Sequence, residues 1–546
     1  MDQPVRALKK SLAKDKQRTS LEQWAQVYRW LIALVILCLG FVLRLEEAWG
    51  TFLNPDEALH FFIADRPSLE AVYKASLTQA HPPLFFFMLH GLRSLGNSEI
   101  ILRLPSVLAG TLFCWVFFKW LDDIFGPQVA LVGVVFAALL PTMIGVTAEV
   151  RQYGLLLLFL MSGLWFLDRG VRKNSPPQMF ASAVCLWLAM LTHYSSFFFV
   201  AVLAIYASLR IWRNKVSRPT AVAWLSGQLA ACSLAVLLYV RHISKIKATT
   251  MTQQAFEIWL RRSYFHSGDN PLIFLVTRTF SVFQYTVGQL VVGDALAIVF
   301  LAGVIFLLLR KKQMRSQYPS ALAVLLMLPF VLNYIAGLLD LYPFGGTRHC
   351  VYLSIFAITG IAIGIVELAG QNLVRATVIS VVVVILCFAF RSVHHPYIAR
   401  ADQARSHMDE AVVFVQTQIS TSQTILVDYQ SGIELSHYLC KQQQIVYDRV
   451  TPDFLVFNCA NHRIISTVSD LWAFTPQTFL EQARNLLAHG YLEPGERVWV
   501  CQAGWIVNLN EDLRNFPGFQ NLKTQRFGNN IRLFSLLVGG REPGQI

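Results

Sequence analysis

Charge is scarce in this sequence. Of 546 residues only 14% are Asp, Glu, Lys or Arg, while 55% are hydrophobic. Soluble domains carry about 25% charged residues, so this balance excludes a soluble chain and specifies an integral membrane protein. The nine cysteines form no CxxC, and no clustered metal-ligand spacing occurs. There is no Walker loop and no GxGxxG, so neither glycine-rich phosphate loop is available for a nucleotide. Internal repeats and low-complexity tracts are absent too. The net charge of +13 does not describe a nucleic-acid surface, because the cations sit in short loops between apolar runs. That pattern sets membrane orientation.

A span needs roughly 20 apolar residues. Eleven runs qualify: about 26–44, 99–120, 128–148, 153–168, 178–193, 196–211, 220–241, 294–310, 320–339, 350–369 and 376–390. Residues 1–25 form a basic cytoplasmic arm (Arg6, Lys9, Lys10, Lys14, Lys16, Arg18), and the first run, with no small-residue cleavage site after it, reads as an uncleaved signal-anchor. This count puts the N-terminus inside, the C-terminus outside, and the basic loops "DRGVRK", "RIWRNKVSR" and "RKKQMR" in the cytoplasm. Two apolar stretches stand apart. Residues 82–95, interrupted by His90 and Arg93, read as an interfacial helix on the outer face. Residues 271–292 are long enough to cross, so the expectation is about 11–13 transmembrane helices. The transmembrane region is 26–390. Residues 391–546 have no span but carry strand-like runs ("TILVDY", "IVYD", "ERVWVCQAGW", "IRLFSLL") and amphipathic segments at 407–418 and 432–440, which implies one small extracytoplasmic α/β domain. Cys440, Cys459 and Cys501 lie there and permit one disulfide; Cys38, Cys114, Cys185, Cys232 and Cys387 are apolar fillers of spans.

The polar clusters gather on the outer face. In "NPDEALHFF" (54–62), Asn54 before Pro55 marks a helix start, and Glu57 at the third helical position can complete a capping box. Asp56 is left freer, and the helix dipole keeps it ionised. Asp56 and His60 are four apart on one face, the spacing of a paired metal site, although the second histidine of a zinc-protease signature is missing. "HPPLFFFML" places His81 at the lip of the interfacial helix as a donor for a phosphate at headgroup depth. Arg103 begins the next span, where it snorkels or joins the same site. "AEVRQY" supplies Glu149, Arg151 and Tyr153, "THYSS" supplies His193 and Tyr194, and "GGTRH" supplies Arg348 and His349 after two glycines that allow close backbone approach. Carboxylates beside several cations suit an anionic lipid headgroup next to a polar acceptor, and arginine suits phosphate because it donates two parallel hydrogen bonds.

The acidic pair after the first span, the Pro-Pro entry to an interfacial helix, "RLPSVLAG", "EVRQY" and the late Arg-bearing loop together resemble the GT-C glycosyltransferases. The closest set is the protein O-mannosyltransferase and lipid A aminoarabinose transferase superfamily (dolichyl-phosphate-mannose-protein mannosyltransferase-like). The resemblance covers roughly 26–390 and reaches the C-terminal domain only loosely. It implies a GT-C fold and an enzyme of the cell inner (plasma) membrane that moves a sugar, with inversion, from a polyprenyl-phosphate carrier to a hydroxyl of a glycan, lipid or protein. Asp56 would be the general base with Glu57 as its support, and His81, Arg151, Arg348 and Arg103 would steady the leaving phosphate. No cofactor is then required, although a divalent metal at Asp56 and His60 stays open. Some relatives have Lys where this chain has His81, whose charge depends on pH; Arg261, Arg262 and Arg278 in the long outer loop are alternatives for that cation. Glu149 matches a second acid of the family's next outer loop. The "LDD" at 121–123 reads as a solvated loop end. Competing readings are a lipid-diphosphate-dependent oligosaccharide ligase or polymerase, and a lipid or sugar transporter, which would carry its polar groups at the midplane in paired halves.

Overall fold

A computed structural model describes residues 20–246, 257, 259–309, 319–390, 403–440, 448–451, 453–468, 471–516 and 522–538. The basic arm through residue 19, the "RKKQMR" loop and the junction at 391 lie outside them.

Ten of the eleven expected spans each coincide with a helix, and 128–148 is divided at Pro141 into Pro127–Leu139 and Pro141–Val146. Among the described residues six helices are long and apolar enough to cross a membrane: Glu99–Ile124, Tyr153–Lys173, Ser196–Asn214, Arg218–Ile246, Leu290–Leu309 and Pro319–Leu338. Four shorter apolar helices, Pro127–Leu139, Pro176–Thr192, Leu353–Leu368 and Leu373–Ala389, fill the bundle between them, and the first expected span is Arg29–Gly50, which follows the short helix Ser20–Val27. The 82–95 stretch is the short helix Leu84–Leu92 with a terminal 3-10 turn. The 271–292 stretch is divided: Pro271–Val287 ends at Gly288 (φ +74°), and the next helix opens at Leu290. "LDD" is not a solvated end. Asp122 is buried beside Arg29 (3.5 Å), and Asp123 pairs with Arg172 (2.9 Å). Their partners come from distant helices, which the local pattern does not reveal.

One break in the bundle positions the site. Pro141 has no N–H, so the Ala137 carbonyl loses its helical donor. Buried Arg44 fills the gap, donating to the Ala137 and Ala138 carbonyls (3.2 and 2.9 Å) and to Thr147 Oγ1 (2.8 Å). Residues 147–152, which carry Glu149 and Arg151, are anchored by that arginine to helix Arg29–Gly50.

The C-terminal unit is a seven-stranded sheet in the order β2-β3-β4-β1-β5-β7-β6. Its strands are β1 Thr424–Val427, β2 Asp448–Thr451, β3 Phe454–Cys459, β4 His462–Thr467, β5 Arg497–Ala503, β6 Lys523–Phe527 and β7 Ile531–Leu537. The central β4, β1 and β5 are parallel, and both faces are covered, as parallel strands require. Ile425, Val427, Trp499 and Cys501 pack under helices Arg405–Gln418 and Tyr429–Cys440, while Leu426, Val498 and Val500 meet Pro476–Ala488 and Leu509–Leu513. Cys440 and Cys459 form a disulfide, and Cys501 is a buried free thiol.

The sheet unit sits directly on the loop that joins Gly50 to Pro55. Phe52 enters its hydrophobic core. The Phe52 N–H donates to the Gln403 carbonyl (3.1 Å), and the Leu53 N–H donates to the Tyr438 hydroxyl (2.6 Å). Gly504 has φ +108°, and a Cβ on it would meet Pro55 Cγ at 2.6 Å, so both the turn and the close approach to the Asp56 helix require glycine.

Candidate active site

Asn54 caps the helix Pro55–Ala64 in a complete capping box: its side chain accepts from the Glu57 N–H (3.1 Å), and Glu57 Oε2 accepts from the Asn54 N–H (3.0 Å). Glu57 does more than cap. Arg103 donates to it through both Nε and Nη2 (2.8 and 2.7 Å), and the Val150 N–H adds a bond to Oε1 (2.7 Å). The remaining Arg103 donors reach the carbonyls of Ala48, Thr51 and Phe52 at 2.8–3.0 Å. This knot closes the first loop onto the "AEVRQY" loop. It also corrects an expectation: the Arg103 guanidinium is consumed by the fold and does not line the cavity described next.

Asp56, one residue earlier, points the other way, into a cavity of about 1200 Å³. Arg151 Nη1 lies 3.3 Å from its Oδ2, and Arg348 Nη2 pairs with the same oxygen. Burial alone would raise the Asp56 carboxyl, but Arg151, Arg348 and His60 together outweigh it and hold the group below its ordinary value. Arg151 is the hub. Its Nη2 reaches His81 Nε2 and the Tyr153 hydroxyl, each at 3.3 Å. Arg348 arrives on the "GGTRH" turn, where Gly345 takes φ +134° and a Cβ on Gly346 would strike the Ser281 carbonyl oxygen at 2.3 Å.

Four histidines gather around these arginines. His81 stacks on His193 (centroids 5.3 Å) and His349 (6.3 Å), and His60 lies 5.6 Å from His81. Burial first, and Arg151 second, push His81 well below the usual imidazole value, and burial with Arg348 and Arg151 brings His349 down to about 3. They are neutral donors and acceptors at neutral pH. The Nδ1 of His81 and the Nε2 of His193 are buried with no hydrogen-bond partner among the described residues, although both side chains line the cavity. Such orphaned nitrogens in a cavity wall mark where ligand oxygens would sit.

Asp56, His81, Glu149, Arg151, His193, Tyr194, Arg348 and His349 all line this one cavity. Tyr153 stands behind it, buried, holding Arg151; Tyr194 bonds His242 Nδ1 at 2.7 Å. Arg261 and Arg262 do not join it. They are exposed on a 3-10 turn whose neighbours Leu260 and Tyr264 provide the wall instead. His60 is wholly buried, and its Nδ1 lies 2.8 Å from the backbone carbonyl of Asp56 rather than beside the carboxylate. Among the described residues no group of three His, Cys, Asp or Glu is placed to hold a metal. Sequence reasoning missed the wall supplied by the C-terminal unit, namely Gln403, Trp472, Trp505 and Ile506. Their only sequence signal was Trp505 at the end of the strand-like run "ERVWVCQAGW".

Residues 80–239 match the family model described as dolichyl-phosphate-mannose-protein mannosyltransferase. No curated protein matches the chain in sequence. Among solved structures, ArnT from Cupriavidus metallidurans in the apo state superposes with a TM-score of 0.52 at 11% identity, over 93% of this chain and 97% of that one. The same protein bound to undecaprenyl phosphate gives 0.53 at 12% identity, over 93% and 98%. The shared fold extends across bundle and sheet unit alike. The chain is a multi-pass helical membrane protein with the GT-C fold of these structures, and the mannosyltransferase match lies within its bundle.

Proposed function

We propose that the protein transfers a sugar from a polyprenyl-phosphate carrier to an acceptor hydroxyl at the outer face of the plasma membrane, with inversion at the anomeric carbon. The observation that supports this most is the Asp56 carboxylate shared by Arg151 and Arg348 in the wall of the large cavity. The acceptor oxygen attacks the anomeric carbon, its proton passes to Asp56, and the carbon–oxygen bond to phosphate breaks. The phosphate leaves with the electron pair and gains one negative charge, which fixed guanidinium donors stabilise. Before the donor arrives, both arginines spend their charge on Asp56. A bound phosphate draws their N–H groups away, so the carboxyl rises toward its ordinary value and becomes a better base at the moment it is needed. His81 and His193 donate or accept as neutral rings. The scheme uses neither nucleotide nor metal. The N-terminus then lies in the cytoplasm, and the cavity and sheet unit face outward.

The test uses purified full-length protein with a radiolabelled polyprenyl-phosphate sugar. Wild type is expected to release the polyprenyl phosphate and form a product of inverted anomeric configuration. Asp56→Asn is expected to bind donor and not turn over. Passage of labelled lipid across vesicles without cleavage of its phosphate ester would sink the proposal.

A further inference from the structure

The sheet of the C-terminal unit meets the cavity along the carboxyl ends of its parallel strands. From β1 the chain crosses to β2, β3 and β4 on one side, then returns to β5 on the other. A topological switch point therefore lies between β1 and β5, and open α/β sheets bind ligands in the crevice outside such a point. The residues placed beyond it are Gln430 after β1, Trp472 after β4, and Trp505 with Ile506 after β5. The last three line the cavity.

One buried residue ties them together through its backbone and its side chain. Gln430 donates its backbone N–H to the Trp472 carbonyl (3.1 Å) and its Nε2 to the Ile506 carbonyl (2.8 Å), and its Oε1 accepts from the Trp505 N–H (3.3 Å). The two indoles are thereby presented as a pair, centroids 6.3 Å apart, with Trp259 a further 6.4 Å from Trp472. Trp505 is 42% exposed and Trp472 9%, and both border the cavity. The Arg348 guanidinium lies 5.9 Å from the Trp505 ring centroid, and Arg348 pairs with Asp56. A ligand lying on Trp505 is one side chain from the carboxylate.

The wall suits one kind of ligand. A pyranose ring offers an apolar C–H face to the electron-rich face of an indole, and its hydroxyls can reach amides such as Gln403 in the same wall. An extended peptide is captured through a free strand edge, yet among the described residues the edge strand β6 contributes none to the lining. We propose that Trp505 and Trp472, clamped by Gln430, form the acceptor platform, and that the acceptor presents a pyranosyl residue. This rests on the glycosyltransferase reading of Asp56.

Saturation-transfer NMR with methyl hexo- and pentopyranosides on the full-length protein in lipid nanodiscs reads the platform without any donor. Transfer to the ring C–H protons of at least one pyranoside is expected in wild type and in Asp56→Asn. It should fall at least fivefold in Trp505→Ala and in Trp472→Ala, and persist in Trp505→Phe. Gln430→Leu should weaken it as a positioning change that Trp505→Phe does not reproduce. In the transfer assay, Trp505→Ala should raise the acceptor KM at least tenfold more than the donor KM. Equal transfer in wild type and both alanine variants would overturn the platform, as would transfer only to a Ser/Thr peptide or only to a lipid chain. Trp-dependent pyranoside binding in a protein that never cleaves the donor would uphold the platform while defeating the proposed reaction.

Discussion

Asp56 and Glu57 occupy adjacent positions in one helical turn, and each meets arginine, yet the two pairs are built differently. Glu57 accepts four hydrogen bonds, from Asn54, Val150 and twice from Arg103. That fills the capacity of a carboxylate, and every nitrogen of Arg103 is engaged as well. Asp56 is shared between two guanidiniums, keeps 13% of its side chain exposed, and borders histidine nitrogens with no partner among the described residues. Burial alone does not separate structure from chemistry here, because all three arginines are buried or nearly so. Saturation does. A closed hydrogen-bond account holds loops together, and an open one awaits a ligand.

The largest effect that would break this comparison is on turnover. Asp56→Asn should lower the rate of sugar transfer by about 10²–10⁴-fold, the range for loss of a general base, with donor binding retained in an equilibrium assay. Glu57→Gln should act on stability instead. It leaves Arg103 buried without its countercharge, a loss of about 3–5 kcal/mol, visible as a collapse of the melting temperature in detergent. Equal melting of the Asp56 and Glu57 variants would erase the distinction. Next come the arginines. Arg348→Lys and Arg151→Lys should each raise the donor KM by about tenfold, because a lysine cannot donate two parallel bonds to phosphate. Arg103→Lys should lower the melting point and leave the donor KM near wild type.

The smallest effect sharpens the histidine side of the site. His81 and His349 have folded pKa values below the ordinary imidazole value, so the unfolded chain binds more protons once the pH drops under about 6.5. Stability is complete above that pH and declines as pH falls toward the folded values, about 3 for His349. Each such group contributes up to about 1.4 kcal/mol per pH unit. Melting temperatures measured from pH 7 to pH 5 should fall, and His349→Gln should make the decline shallower. A melting temperature indifferent to pH across that window would show that the histidines titrate freely.

Much of this was legible in the sequence. The helix start at Asn54 and the capping role of Glu57 follow from spacing within four residues, and the capping box is present. The short helix at 84–92 and the grouping of Asp56, His81, Arg151 and Arg348 were anticipated from composition and span counting, and the four side chains line one cavity. Arg103 was misassigned because its partner lies 46 positions away, and no local rule distinguishes a phosphate ligand from a structural staple. Arg261 and Arg262 were plausible by charge alone, but their turn directs them to solvent and its apolar neighbours inward. Strands β3, β4 and β6 went unread, since β6 sits at a sheet edge with mixed burial and offers little alternation to detect.

By itself the sequence determined the class of molecule: a charge-poor, many-helix membrane protein with a small α/β unit behind it, and an acid-bearing loop just past the first span. These depend on composition and on periodicities of a few residues, which the chain carries locally. Only the tertiary structure decided which acid is spent and which is available. That depends on how many donors converge on each carboxylate from residues 46, 93, 95 and 292 positions away. It also brought Trp505 to the arginine beside Asp56, a meeting of chain segments that only the docking of the sheet on the bundle could arrange.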